Sequence, residues 1–326
     1  MATYKGIQGY SVQTLASDPS PAASVEGQLW YNSTSSTYKI AAAGAGAWAS
    51  GGALNQARDA LSSAGIQTAA LAFAGRHPAH GGGMTQTESY NGSTWTVLAA
   101  LNTGVEYAGG AGVQTAALCI GGGDPTGNVG RTESWDGTSW TEVNPLLTGR
   151  QQAASGGITT SAIIAGGYVP SDTNLSETYD GTSWTEGNNL NVTDAGMQGG
   201  NSFSSVPAAF ASGGYPATGA FEVYDGTSWS SGTAASTVRE NGGAAGTNTA
   251  ALLFGGMPGH TTDTEQYNGT SWTELANLAT GRRALAGAGT TALALCIAGE
   301  APPNVKQSIC EEWNGAPITA KTVTVS

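Results

Sequence analysis

The chain has 326 residues, of which 50 are glycine and 10% are charged, and its 23 acidic and 11 basic residues leave a net charge of −12. Binding to phosphate needs clustered Lys and Arg, so this charge and the lack of a basic run argue against nucleic-acid binding and against adsorption to an anionic membrane. The glycines follow no Gly-X-Y register, which excludes a collagen, and the alternating aromatic and β-branched residues argue against disorder.

The N-terminal residues show no targeting signal. Met1 to Thr14 lack the apolar core of a signal peptide, and no stretch of the chain approaches the roughly 18 apolar residues of a membrane-spanning helix. We therefore expect synthesis in the cytoplasm without a signal peptide, and no membrane insertion.

Residues 1–46 predict an arm followed by a hairpin. Thr14 to Ser24 is rich in Ala, Ser and Pro, which is typical of an extended arm, and Gly27 to Ile40 predicts a β-hairpin. The phrase Gly-Gln-Leu-Trp-Tyr-Asn-Ser-Thr within that hairpin resembles a segment common near the N-termini of bacteriophage virion and tail proteins, especially those of marine phages. The resemblance implies a virion attachment segment that contacts other virion proteins. The alternative is an ordinary N-terminal hairpin packed on the rest of the protein.

A six-residue phrase then recurs five times, built as an aromatic residue, Asn or Asp, Gly, two residues that are Ser or Thr, and Trp. Its tryptophans are Trp95, Trp140, Trp184, Trp229 and Trp272, at steps of 45, 44, 45 and 43 residues. Asn-Gly and Asp-Gly accept the positive φ that tight hairpin turns require. A period of about 40 to 50 residues with a hairpin turn in each unit predicts a β-propeller.

Each repeat predicts four strands, as the segment that begins at Trp140 shows. Trp140 to Val143 predicts a short strand. Ala153 to Ser155 leads through Gly156-Gly157 into Ser161 to Ala165, which predicts a buried strand, and Ser176 to Tyr179 predicts a half-exposed one. Six such buried second strands and six third-strand glutamates predict six blades. The glutamates are Glu88, Glu133, Glu177, Glu222, Glu265 and Glu311.

Three features together resemble kelch repeats: a Gly pair, a Glu two residues before an aromatic residue, and a Trp five residues after that aromatic residue. The resemblance covers roughly residues 48 to 326 and implies an all-β fold, with a six-bladed kelch-like β-propeller over residues 47–326. A seventh, partial blade built from Trp30 to Trp48 is the alternative. The ring closes either through Trp48, as the outer strand of the last blade, or through a C-terminal strand over Ile318 to Val325.

The three cysteines do not form a disulfide framework. Cys119 and Cys296 occupy the same position of their repeats, within Ala-Leu-Cys-Ile, and we expect both to be small buried apolar residues. Cys310 is expected on the strand beside Cys296, where a local bridge is conceivable.

Recognition is expected on one face of the propeller. Strand direction alternates, so the loops between second and third strands and the connections between blades emerge together, on what we call the loop face. The spacers between the second-strand Gly and the third-strand Glu hold 12, 10, 9, 7, 8 and 11 residues, and such variation on a constant scaffold is typical of a binding face. The candidate ligand-binding residues there are Arg58, His77, His80, Asp124, Arg150, Tyr168, Tyr215, Arg239, His260 and Arg282.

The four arginines among these candidates occupy equivalent positions in the connections between blades, where Val105 and Asp194 complete the set. They either bind a carboxylate or sulfate on a glycan or tie the connection to carbonyls and a neighbouring Glu. The histidines belong to repeats one and five, which are not neighbours in a six-bladed ring, and no carboxylate completes a ligand set. We therefore expect no metal and no other cofactor.

These observations predict a non-enzymatic phage virion protein, such as a tail-fibre component for host attachment, that binds a host surface glycan or protein. Many copies on one particle would make weak single contacts strong. The alternatives are a polysaccharide-active enzyme, either a depolymerase or an oxidase, and a purely structural decoration protein. A glycosidase needs a pair of carboxylates, whereas the repeated Glu residues are periodic around the ring and therefore look architectural.

Overall fold

The computed structural model describes residues 12–19, 28–43, 46–77, 82–199, 206–315 and 318–323. The described residues form 32 β-strands and a short 3₁₀ turn at Val206–Ala208. They divide into two compact units, one of residues 1–46 with 315–326 and one of residues 47–314. Within the described ranges, no helix has the length and apolar character needed to cross a membrane.

The first unit is a single four-stranded sheet in the order β1-β2-β3-β32. Its strands are β1 (Gln13–Leu15), β2 (Leu29–Asn32), β3 (Thr37–Ala43) and β32 (Ile318–Thr322). β2 and β3 form the predicted hairpin, and β1 runs parallel to β2. The Asp18 carboxylate accepts hydrogen bonds from Asn32 Nδ2 at 2.7 Å and Trp30 Nε1 at 3.1 Å, which ties the arm to the hairpin.

The second unit consists of six four-stranded antiparallel sheets, so the prediction of six blades is confirmed. Blade 1 consists of β5 (Ser62–Ile66), β6 (Ala69–Phe73), β7 (Thr87–Tyr90) and β8 (Trp95–Val97). Blade 2 consists of β9 (Gly109–Val113), β10 (Ala116–Ile120), β13 (Thr132–Trp135) and β14 (Trp140–Val143). Blade 3 consists of β15 (Ala154–Ile158), β16 (Ser161–Ala165), β19 (Ser176–Tyr179) and β20 (Trp184–Glu186). Blade 4 consists of β21 (Gln198–Gly199), β22 (Phe210–Ser212), β23 (Phe221–Tyr224) and β24 (Trp229–Ser231). Blade 5 consists of β25 (Gly243–Thr247), β26 (Ala250–Phe254), β27 (Thr264–Tyr267) and β28 (Trp272–Glu274). Blade 6 consists of β29 (Ala286–Gly289), β30 (Leu293–Ala301), β31 (Val305–Asn314) and β4 (Ala47–Ser50). Two small hairpins lie in the loops of blades 2 and 3, β11 (Gly123–Asp124) with β12 (Gly127–Asn128) and β17 (Tyr168–Val169) with β18 (Ser171–Asp172).

The ring closes through β4, which supplies the outer strand of blade 6. Trp48 faces Trp313 across the β4–β31 pair, its ring contacts that of Phe254 at 5.0 Å, and its Nε1 donates to Thr264 Oγ1 at 2.9 Å. The alternative closure by residues 318–325 is wrong, because β32 pairs with β3 in the first unit. The seventh, partial blade is also absent from the described residues, since Trp30 lies in β2 of the first unit and Trp48 in blade 6.

The recurring phrase forms a turn in which the Asn or Asp side chain accepts hydrogen bonds from backbone N–H groups of the same turn. In its second copy, Asp136 Oδ1 accepts hydrogen bonds from the backbone N–H groups of Thr138 at 2.7 Å and Ser139 at 2.8 Å, and Gly137 adopts a φ of +95°. The phrase's first aromatic ring and its Trp then meet across the hairpin, as Trp135 and Trp140 do at 5.4 Å. This local geometry explains why the phrase keeps its composition in five blades.

The innermost strands approach so closely that glycine is needed in them. A Cβ on Gly110 would lie 2.4 Å from the carbonyl oxygen of Ser63 in the neighbouring blade, and one on Gly287 would lie 2.3 Å from that of Ala244. Ser63 Oγ also donates to the Gly287 carbonyl at 2.9 Å, which joins blades 1 and 6. Small residues therefore surround the axis because adjacent backbones occupy the space of a side chain.

Six backbone hydrogen bonds form a closed ring on the loop face, which we call the axial belt. One residue from each connection donates its N–H to the carbonyl of the equivalent residue in the preceding blade, at 2.7 to 3.0 Å. Every belt residue has a left-handed φ between 48° and 70°. The belt residues are Ala60, Tyr107, Gln152, Gly196, Asn241 and Ala284. All six blades are thereby joined around the axis at the mouth of the propeller.

Candidate functional site

The four candidate arginines are buried and paired, so they do not reach a ligand on the loop face. Each guanidinium contacts the third-strand Glu of its own blade, and all four arginine side chains are 0% exposed. The pairs are Arg58–Glu88 at 3.3 Å, Arg150–Glu177 at 2.7 Å, Arg239–Glu265 at 2.6 Å and Arg282–Glu311 at 2.8 Å. These contacts agree with the alternative in which each arginine ties its connection to a neighbouring Glu, and the assignment of the four arginines to glycan binding is corrected.

Two blades lack this arginine and satisfy their glutamate in another way. Glu133 accepts from the backbone N–H and Nδ2 of Asn102, both at 2.8 Å, and Glu222 accepts from the same groups of Asn191 at 2.9 and 2.6 Å. In blade 4 the arginine position holds Asp194, and burial, with Asp172 and Glu222 nearby, raises the pKa of this carboxyl to about 6. Blade 4 therefore has surplus negative charge near the loop face.

The histidines and Asp124 do not converge on one site. His77 follows the loop-face Arg76, and His80 lies outside the described residues. His260 Nε2 lies 3.7 Å from Glu300 Oε1. Asp124 lies in the small hairpin of blade 2, where it accepts from the backbone N–H of Thr126 at 2.7 Å. In the described part of the chain, no three His, Cys, Asp or Glu side chains are grouped as a metal site.

The cysteines lie in the described core as free thiols, without a disulfide bridge among them. Cys296 faces Glu311 across the β30–β31 pair, whereas Cys310 faces Ile297. Burial raises the pKa of Cys296 to about 12 and that of Cys310 to about 11. These thiols are therefore apolar packing groups.

Two candidate tyrosines lie together at a cavity of about 550 Å³ on the loop face. Tyr168 is 38% exposed and Tyr215 is 60% exposed. The cavity is also lined by Asp172, Glu240, Met257 and Arg283, together with the belt residues Gln152, Gly196 and Asn241. We call it the loop-face cavity, and its volume lies in the range of small-ligand sites.

Short backbone bridges place these side chains. The residue just after the second-strand glycine pairs with the residue just before the belt, as Tyr168 does with Gln151 and Met257 with Glu240. The Tyr215 N–H likewise donates to the Ala195 carbonyl at 2.7 Å. The same two positions therefore line the mouth in every blade, and their side chains differ from blade to blade.

Of these lining residues the sequence patterns predicted the two tyrosines, but not Asp172, Glu240, Met257 and Arg283. Their signal lay in the period itself, since Glu240 and Arg283 each directly follow an arginine of the buried set and Met257 directly follows a Gly pair. Asp172 had no such marker, because it lies in a loop whose length and sequence vary from blade to blade, and only blade 2 has a similar small hairpin among the described loops.

A charged network occupies the mouth beside blades 6, 1 and 2. Glu300 binds Lys306 and, at 2.6 Å, Arg283, and Asp59 binds Lys306 at 2.6 Å and Arg76 at 2.7 Å. Burial alone would raise the pKa of Glu300, but the hydrogen bonds and charges of Lys306 and Arg283 outweigh it and lower this pKa to about 2. Within this network the cations are already bound to carboxylates.

Glu240 differs from these paired carboxylates. It is 7% exposed, lines the loop-face cavity and makes no ion pair with any described residue. Burial raises its pKa, and the charge of Arg283 opposes that effect. A buried carboxylate beside a cavity is costly unless a donor or cation satisfies it.

Comparison with known proteins identifies the fold. No protein-family model matches the chain, and no curated protein is similar to it in sequence. The solved structure of YjhT, a kelch-repeat β-propeller protein, is similar with a TM-score of 0.66 at 14% identity, over 83% of this chain and 99% of that chain. At this identity the similarity establishes the architecture alone, which is an all-β propeller of six four-stranded sheets.

Proposed function

We propose that this protein is a non-enzymatic adhesin of a phage virion, and that its propeller binds a host surface glycan in the loop-face cavity. One observation carries the proposal: exposed Tyr168 and Tyr215 share a cavity with the carboxylates of Asp172 and Glu240. The apolar C–H face of a sugar packs on an aromatic ring, while its hydroxyls donate to carboxylates. The site therefore offers both kinds of contact that a saccharide uses.

The first unit supports the attachment half of the proposal. The phrase that resembles phage virion proteins forms β2 and the turn after it, with the arm held to it by Asp18. Attachment through residues 1–46 to other virion proteins would present many propellers on one particle. Multivalent display raises the avidity of a weak site by about 10²- to 10⁴-fold when several copies engage together.

A glycan array probed with a streptavidin-linked multimer of the full chain tests the proposal. We expect binding to a limited set of glycans, and a loss of about tenfold or more for Tyr215→Ala, because most of a stacking contact is removed. Tyr38→Ala is the matched control, since Tyr38 is a 51% exposed tyrosine of the first unit that does not line the cavity. Absence of binding at high valency, or equal binding by both variants, would refute the proposal.

A polysaccharide-active enzyme is the second candidate, favoured by the two carboxylates in one cavity. Buried Glu240, whose pKa is raised, has the character of a general acid, and Asp172 would be its partner. If the protein releases reducing ends from a host polysaccharide and Glu240→Gln abolishes this release, the enzymatic function would replace the proposed adhesin function.

A further inference from the structure

The charges around the mouth leave the loop-face cavity negative. The network contains three cations and three carboxylates, and each cation lies within 4 Å of a carboxylate of the same network. Its members are Arg76, Arg283, Lys306, Asp59, Glu106 and Glu300. Asp172 and Glu240 stand outside this balance, and Asp194 adds a further buried carboxyl close to Asp172.

Arg283 is the cation that lines the cavity, and its donors are engaged. Its Nε and Nη2 both contact Glu300 Oε1, at 2.7 and 2.6 Å, and its Nη1 lies 3.0 Å from Met257 Sδ. An anionic ligand would have to take Arg283 from Glu300 while it faced Asp172 and Glu240. The electrostatics of the cavity therefore disfavour carboxylated and sulfated sugars.

A cation finds complementary groups in the same place. The faces of exposed tyrosines attract cations within about 6 Å of the ring centroid. Glu240 is more than nine-tenths buried and has no ion-pair partner among the described residues, so an ammonium group would supply the missing positive charge.

We infer that the loop-face cavity selects glycans that carry a free ammonium group, such as de-N-acetylated amino sugars, over their N-acetylated and acidic counterparts. This inference rests on the proposed glycan-binding function. The rings of Tyr168 and Tyr215 pack against the sugar rings and attract the ammonium group, and the carboxylates of Asp172 and Glu240 bind it. N-acetylation removes the charge that these carboxylates recognise.

Calorimetric titration of the full chain with the disaccharide of glucosamine and with its N-acetylated form tests the inference. We expect the amine to bind at least about tenfold more tightly, with a preference that weakens as salt is added. In the double variant Asp172→Asn, Glu240→Gln the two affinities should agree within about twofold, because the charge-dependent part is lost. The double variant Glu142→Gln, Glu186→Gln is the matched control, since it removes two exposed carboxylates from outer strands and should keep the preference.

Several outcomes would overturn the inference. One is that the N-acetylated sugar or a glucuronate disaccharide binds as tightly as the glucosamine disaccharide, or more tightly. Another is that the preference for the amine survives in the Asp172→Asn, Glu240→Gln variant. A third is that an oligolysine peptide binds more tightly than the glucosamine disaccharide, which would assign the ammonium group to a protein partner. If the glycan array yields only neutral or acidic ligands that Tyr215→Ala abolishes, this inference fails and the proposed function stands. If no glycan binds at any valency, both fail.

Discussion

Replacing Glu265 by Gln tests whether the buried Arg–Glu pairs stabilise the blades. The Glu265 carboxylate accepts from Arg239 Nη2 at 2.6 Å and from the backbone N–H groups of Ser236 at 2.8 Å and Thr237 at 3.1 Å. After the substitution, Arg239 would keep the carbonyls of Gly255 and Asp263 at 3.1 and 3.3 Å but would lose its only ion-pair contact among the described residues, with the more distant charge of Asp263 remaining. Its guanidinium would stay buried without a carboxylate in contact.

The magnitude follows from what remains buried. Loss of one partner of a buried ion pair costs about 3 to 5 kcal/mol. Glu133 is the matched control, because it occupies the same position in blade 2 and accepts from Asn102 and Thr103, while Val105 stands where four of the other blades have Arg. Glu133→Gln leaves one buried N–H unsatisfied, at a cost of about 1 to 3 kcal/mol. The difference between the two variants should therefore be about 2 kcal/mol.

Equilibrium unfolding in urea, followed by the fluorescence of the nine tryptophans, measures this difference as a change in unfolding free energy at constant slope. Native-like circular dichroism of both variants is the requirement for the comparison. If Glu265→Gln and Glu133→Gln lose the same stability, the arginine adds nothing, and the argument from buried charge is wrong.

Three further predictions concern charge, the axis and ring closure. Burial raises the pKa of Asp194 from 3.8 to about 6, so the contribution of this group to stability is greatest below pH 3.8 and is lost as pH rises through 6 and the carboxyl ionises. The free energy of unfolding of Asp194→Asn should therefore exceed that of the wild type by up to about 3 kcal/mol at pH 8 and equal it near pH 3.5. The same difference in unfolding free energy at both pH values would contradict this. Gly287→Ala should lose about 1 to 3 kcal/mol in urea unfolding, since its Cβ meets the Ala244 carbonyl at 2.3 Å. Gly123→Ala should cost less, because it meets only the movable Gln151 side-chain oxygen, and equal losses would refute the close-approach argument. Trp48→Ala should remove hydrogen-exchange protection from the amides of residues 47–50, because β4 is the outer strand of blade 6, and undiminished protection would show that Trp48 does not hold the closing strand.

Much of the fold was predictable from sequence because its information is local. Gly137 in a hairpin turn, with Asp136 beside it, needs no distant partner to specify a turn, and the repetition of that phrase counts the blades. The buried strand over Ser161–Ala165 was predictable for the same reason, from a short apolar run bounded by Gly. The loop face followed from alternating strand direction, and two of its exposed tyrosines were found by position.

The sequence by itself determined the repeat, the strand order within a blade and the face on which side chains vary. Tertiary structure decided which terminal strand closes the ring, because Trp48 and the segment from Ile318 both carry strand patterns and only packing against Trp313 and Phe254 distinguishes them. It also decided that Arg150 and its equivalents are buried, since their glutamate partners lie 26 to 30 residues away in the chain. The loop-face cavity is likewise a tertiary product. Asp172, Tyr215 and Glu240 belong to different blades, and only closure of the axial belt brings them to one mouth.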